Sequence, residues 1–159
     1  MIPVTTLLLS AGISATLVEK YTQFLADNEE LRQDLDTFFD GVSREKIPLF
    51  IYKEQSEQIV TLFANRKQIP KEPGEAGSIL AYVRQHAYED DFMASDCYGQ
   101  LSCSSCAVEI LQGTLYNPEP REEEYDMLDI DLDRPPTKLT RLGCQAIVGD
   151  EPLVVKIRK

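Results

Sequence analysis

Four cysteines constrain this chain more than any other feature. They stand as Cys97-x5-Cys103-x2-Cys106, with Cys144 after 37 intervening residues, and the chain has no others. Three of them crowd into ten residues that are otherwise mostly small or polar. Thiolate sulfur is the soft donor that holds iron–sulfur clusters and zinc. A short loop with three thiols and a distant fourth therefore predicts a chain wrapped around a compact inorganic centre.

Three chemistries compete for that pattern. Structural zinc sites of four cysteines usually present two close pairs, each a short knuckle; here only Cys103 and Cys106 form such a pair. A three-plus-one division suits a [2Fe–2S] cluster better, because its four ligands are shared between two irons. The plant-type spacing C-x4-C-x2-C is one residue shorter in its first gap than this chain. Disulfides are the third reading, yet four cysteines in 159 residues are sparse for a stapled secreted domain. Zinc and paired disulfides stay open as rivals to [2Fe–2S].

Three motifs carry a resemblance. The stretch Cys97-Tyr98-Gly99-Gln100-Leu101-Ser102-Cys103-Ser104-Ser105-Cys106 resembles the C-x-G-x-L-x-C-x-x-C loop of adrenodoxin-like [2Fe–2S] ferredoxins. Glu124-Tyr125-Asp126-Met127-Leu128-Asp129 is similar to that family's acidic E-x-D-M-L-D helix, and Arg141-Leu142-Gly143-Cys144-Gln145 to its R-L-G-C-Q segment. The likeness covers about residues 45–159 and leaves the first 44 unmatched. It implies that Cys97, Cys103, Cys106 and Cys144 are the ligands of a [2Fe–2S] cluster. Where family members often carry histidine after the third cysteine, this chain has Ala107.

Within the loop, Gly99 permits backbone angles that a side chain forbids. Ser102, Ser104, Ser105 and the backbone N–H groups are small donors within reach of sulfur, and such hydrogen bonds raise a cluster's potential. Leu101 is expected to shield the centre from water.

Charge narrows the partners. The chain has 27 acidic against 16 basic residues, a net of −11. Nucleic-acid binding depends on Lys and Arg facing phosphates, so that class is excluded; a basic protein face is the complementary partner. Between Asn117 and Arg134, eight acidic residues face two basic ones, a balance of −6. Glu122, Asp126 and Asp129 fall at i, i+4 and i+7 and share one helix face, with Met127 and Leu128 turned inward. A charge run is usually only a solvated face. The resemblance assigns this one to docking the basic faces of a ferredoxin reductase and of an acceptor protein. One histidine, His86, and no tryptophan leave little material for His-based catalysis. The expectation is an electron carrier and not an enzyme.

The periodicities predict an α+β fold. Ile47–Tyr52 and Gln58–Phe63 are β-rich runs around polar Lys53–Glu57, a hairpin. Ile79, Leu80, Val83 and Ala87 form a helical stripe with Ser78 as N-cap. Ala107–Leu111 and Leu153–Ile157 complete the strands, the first alternating poorly. The order matches the β-grasp ferredoxin fold, a mixed sheet crossed by one helix, with an added N-terminal helical arm.

That arm divides the chain into residues 1–44 and a [2Fe–2S] ferredoxin domain at 45–159. Leu17, Tyr21, Phe24, Leu25, Leu31, Leu35, Phe38 and Phe39 recur at helical spacing, predicting one amphipathic helix or two broken near Asp27-Asn28 and ending at Gly41. The helix either packs on the ferredoxin body or acts as a docking arm. A permanently bound subunit of a respiratory complex such as complex I is therefore the alternative to a free carrier. A zinc-bound β-grasp interaction module is the remote one.

The apolar opening from Ile2 to Ile13 is too short and too interrupted for a spanning helix, which needs about 20 apolar residues. It lacks the basic start of a signal peptide and the arginines of a transit peptide. Packing on protein is expected, with any membrane contact indirect or through this N-terminus. Free thiols imply a reducing interior: the mitochondrial matrix or the matrix side of the inner membrane, or alternatively a bacterial cytoplasm.

Overall fold

Both β-rich runs pair as the hairpin their composition predicts. Strand β1 (Lys46–Lys53) runs antiparallel to β2 (Gln58–Asn65), from Lys46 opposite Asn65 to Lys53 opposite Gln58. The computed structural model describes residues 2–86, 106–129 and 137–157. Within them, β3 (Ala107–Gln112), β4 (Thr140–Leu142) and β5 (Leu153–Ile157) complete one sheet in the order β2-β1-β5-β3-β4. The β1–β5 pair is parallel and the others are antiparallel. Helix α4 (Ile79–Gln85) starts where Ser78 was expected to cap it, with Ser78 Oγ accepting the Ala81 N–H at 3.2 Å. This is the predicted mixed β-grasp sheet with a helix laid on one face.

Side chains alternate across a strand, so the sheet has two faces. One carries Ile47, Leu49 and Ile51 of β1, Val60, Leu62 and Ala64 of β2, and Leu153, Val155 and Ile157 of β5. Ile79, Leu80, Tyr82 and Val83 of α4 pack against it, and Cys106 and Cys144 belong to the same core. The poor alternation of β3 has a local cause. The register with β5 slips between Ile110 and Gln112; Ile110 packs in this core and Leu111 in the opposite one. A bulge of this kind re-aims a side chain.

The second face is covered by the N-terminal residues. Helices α1 (Ile2–Ser10), α2 (Ala15–Ala26) and α3 (Glu29–Phe39) bury Val4, Leu8, Leu17, Val18, Tyr21, Leu25 and Leu35 against Phe50 of β1 and Val154 of β5. The amphipathic pattern thus resolves into two helices, broken at Asp27-Asn28 as the sequence allowed. Ser14 caps α2 through its Oγ, which accepts the Leu17 N–H at 3.3 Å. The apolar opening is helical and packs on protein; among the described residues no helix is long and apolar enough to cross a membrane.

One polar contact crosses this second core. The Tyr21 hydroxyl hydrogen-bonds Thr61 Oγ1 on β2. Burial pushes the phenol from its ordinary 10.0 up to about 12, with the Thr61 bond pulling the other way. Below pH 10 the phenol is neutral in both folded and unfolded chains. Above it the unfolded chain ionises first, so stability falls as pH rises from 10 to about 12. The limiting slope is about 1.4 kcal/mol per pH unit. Urea midpoints taken across that window should fall more steeply for wild type than for Tyr21→Phe, which has no proton to lose.

Candidate functional site

The two described cysteines lie on neighbouring segments at the β4 end of the sheet. Cys106 immediately precedes β3 and Cys144 follows β4 by two residues, and the Gly143 N–H donates to the Cys106 carbonyl at 2.9 Å. Both thiols are fully buried, and neither is in a disulfide. Cys97, Cys103 and the loop residues Gly99, Leu101, Ser102, Ser104 and Ser105 lie outside the described residues, so the structure places half of the expected ligand set. Among the described residues no three His, Cys, Asp or Glu side chains converge.

Backbone hydrogen bonds hold the turn around Cys144 on several sides. Glu75 N–H donates to the Cys144 carbonyl at 2.8 Å. The first turn of α4 is satisfied by the same segment: Ile79 N–H donates to Ala146 O at 2.9 Å and Leu80 N–H to Gly143 O at 3.0 Å. Gly74 makes the approach possible. Its φ is +78°, and a Cβ there would stand 2.4 Å from the Cys144 carbonyl oxygen and 2.7 Å from the Cys144 Cβ. Only glycine satisfies both the angle and the space.

Side chains finish the cradle. Gln145 is buried; its Nε2 donates to Cys144 Sγ at 3.4 Å, and its Oε1 accepts from Arg121 Nη2 at 2.8 Å. Asn117 spans the turn, donating through Nδ2 to Gln145 O at 2.8 Å and accepting the Ile147 N–H on Oδ1 at 2.9 Å.

Helix α5 (Glu122–Asp129) stands beside β4. Glu122 and Asp126 are exposed on it, while Leu128 is buried and Met127 half-buried against the cysteine core. That is the division the sequence predicts; the side chain of Asp129 lies outside the description. Glu124 departs from its neighbours. It is buried and forms a bidentate pair with Arg141, Nε to Oε2 at 2.6 Å and Nη2 to Oε1 at 3.0 Å. It also accepts the Leu142 N–H at 3.0 Å, and Arg141 Nη1 donates to Asn117 O at 2.7 Å. This pair ties the acidic helix to the strand that leads into Cys144. In the sequence Glu124 stands in the charge run and opens the family-like acidic motif without any sign of burial, and neither Asn117 nor Gly74 stands out.

The donor chemistry fits an iron–sulfur centre. Two thiols sit in an apolar core; an N–H donor faces the Cys144 sulfur, backbone packs closely on the Cys144 carbonyl, and the Cys106 carbonyl accepts the Gly143 N–H. Soft, water-shielded sulfur is what such a centre requires.

Comparison with known proteins points the same way. Residues 65–149 match the family described as the 2Fe-2S iron-sulfur cluster binding domain. The chain is 34% identical over 103 residues to adrenodoxin-like protein 1, mitochondrial, of Arabidopsis thaliana, covering 62% of this chain and 49% of that protein. It is 42% identical over 79 residues to a 2Fe-2S ferredoxin of Rickettsia conorii, covering 48% of this chain and 68% of that one. The chain thus spans only about half the length of curated relatives such as the Arabidopsis protein. Its fold is similar to the crystal structure of the ISC-like [2Fe-2S] ferredoxin of Pseudomonas putida, with a TM-score of 0.51 at 26% identity over 71% of this chain and 93% of that one.

Proposed function

Because the chain belongs to the 2Fe-2S iron-sulfur cluster binding domain family and holds a [2Fe–2S] cluster, we propose that it is a one-electron carrier of the adrenodoxin type. Its four ligands in this reading are Cys97, Cys103, Cys106 and Cys144. The observation that carries the assignment is the burial of Cys106 and Cys144 as unbridged thiols on adjoining segments. When bound, the cluster supplies reversible uptake of one electron. The chain's own residues hold it, exclude water and present a recognition surface: Gly74 lets residues 74–75 close over Cys144, and Leu128 and Leu142 fill the core beside the thiols.

Docking falls to α5, through Glu122 and Asp126, which are exposed, and through Asp129 at the next position of the same helix face. Its partners are the basic faces of a flavin-containing ferredoxin reductase and of an acceptor protein. In the double variant Asp126→Asn, Asp129→Asn the cluster should keep its spectrum while affinity for a basic partner drops several-fold at low salt. The gap between variant and wild type should close as salt rises, since exposed charges are screened over about 10 Å at 0.1 M. Equal electron-transfer rates at every ionic strength would place docking elsewhere.

Anaerobically purified protein, assayed for iron and acid-labile sulfide and then reduced with dithionite, tests the central reading. Stoichiometric iron and sulfide, with a paramagnetic signal after one electron, support it. A colourless zinc-loaded protein refutes it and leaves the interaction module.

A free carrier is preferred over a lodged respiratory subunit for a structural reason. Most apolar side chains of α1, α2 and α3 pack on the sheet of the same chain, with Phe24 and Leu9 left exposed, which supports reading residues 1–44 as a cap on the domain at 45–159. Native electrophoresis separates the readings: a small soluble species supports the carrier, and co-migration with a large membrane complex supports the subunit. The compartment proposed is a reducing one, the mitochondrial matrix or a bacterial cytoplasm.

A further inference from the structure

We propose that Gln145, oriented by Arg121, tunes the reduction potential of the bound cluster through an N–H···S hydrogen bond to Cys144; the inference rests on Cys144 being a ligand. Gln145 is 4% exposed, and its Nε2 lies 3.4 Å from Cys144 Sγ. The orientation of its amide is decided by chemistry. Arg121 Nη2, 2.8 Å from the other end, can only donate, so that end must be the carbonyl oxygen and the NH2 must face sulfur. The Gln145 backbone is fixed as well, its N–H donating to Leu142 O at 3.0 Å and its carbonyl accepting from Asn117. The side chain is thereby aimed at the thiolate without freedom to turn over.

Reduction adds negative charge that spreads onto the sulfur ligands. A donor aimed at one of them stabilises the reduced state more than the oxidised one and raises the potential. Burial strengthens the bond by lowering the local dielectric, and the guanidinium on the amide oxygen polarises the N–H further. Arg121 also reaches Glu75 Oε1 at 3.3 Å, the residue whose N–H binds the Cys144 carbonyl.

Redox titration of full-length holoprotein tests the assignment. Gln145→Leu removes the donor and should shift the potential negative with iron and sulfide contents unchanged. Gln145→Glu, which sets an acceptor against sulfur, should shift it further. Arg121→Met should give a smaller shift of the same sign that survives high salt, because it unlocks the amide instead of merely removing a screened charge, and Arg121→Lys should restore most of it. Pulsed EPR of the reduced wild type, with 15N in glutamine side chains, should show a weak nitrogen coupling that Gln145→Leu abolishes. A wild-type potential in loaded Gln145→Leu overturns the proposal. Should that variant fail to assemble, an unshifted Arg121→Met or an absent 15N coupling overturns it instead. Failure of the underlying assignment has a separate signature: Cys144→Ser retaining the wild-type visible spectrum.

Discussion

Cys144→Ser is expected to strip the protein of most of its iron, sulfide and visible absorption. Serine oxygen is a hard donor that holds its proton at neutral pH, so it replaces neither the softness nor the charge of thiolate. The site leaves no room for substitution by a neighbour. Cys144 is fully buried, its backbone is bonded to Glu75, and residue 74 closes over it with no space for a side chain. Among the described residues Cys106 is the only other thiol, and the proposed ligand set assigns it to the same centre. Cys106→Ser should behave alike. Absorption spectra and iron–sulfide assays of the purified variants check both, and an unaltered Cys144→Ser spectrum would refute that ligand.

Glu124→Ala should destabilise the fold by about 3–5 kcal/mol, since it leaves the buried Arg141 guanidinium without its counter-charge. Both side chains are nearly inaccessible, at 5% and 2% exposure, so water cannot take the carboxylate's place. The Leu142 N–H loses its acceptor at the same time. Urea unfolding of the holoprotein gives the measurement, and the double variant Glu124→Ala, Arg141→Met gives the control. Removing both charges should recover a large part of the loss, because a buried ion pair is worth far less than the cost of breaking one half of it. A single variant within about 1 kcal/mol of wild type would mean that Arg141 finds another partner. Loosening α5 should also weaken docking, even though Glu124 never reaches the surface.

Much of this was legible in the chain because it depends on local pattern. The hairpin at residues 46–65 shows in β-rich runs divided by a polar turn, and α4 shows in its stripe and in Ser78. The inward turn of Leu128 follows from spacing, whereas spacing left one helix or two open at Asp27-Asn28 and the fold shows two. What stayed hidden depends on distant partners. Strand β4 is only three residues long and exists because β3 offers it an edge. Glu124 and Arg141 each stand in a family-like motif, but that they are buried against one another shows only once the 17 residues between them are folded. Gly74 looks like an ordinary loop glycine beside Pro73, and its reason is a carbonyl 70 positions away. The bulge in β3 was visible only as weak alternation, which has no single structural meaning.

The helical cap also gives the two faces of the sheet unlike depths of cover. Behind the thiols stand a sheet and then a further layer of helices. Packed layers lie about 10 Å apart, and a helix with its side chains adds about 10–12 Å. In the proposed carrier, these layers leave the rim that α5 borders as the thinner side, and electron exchange is expected there. Something attached at the rear, whether a scaffold or a surface, would hold the protein in place without short-circuiting it.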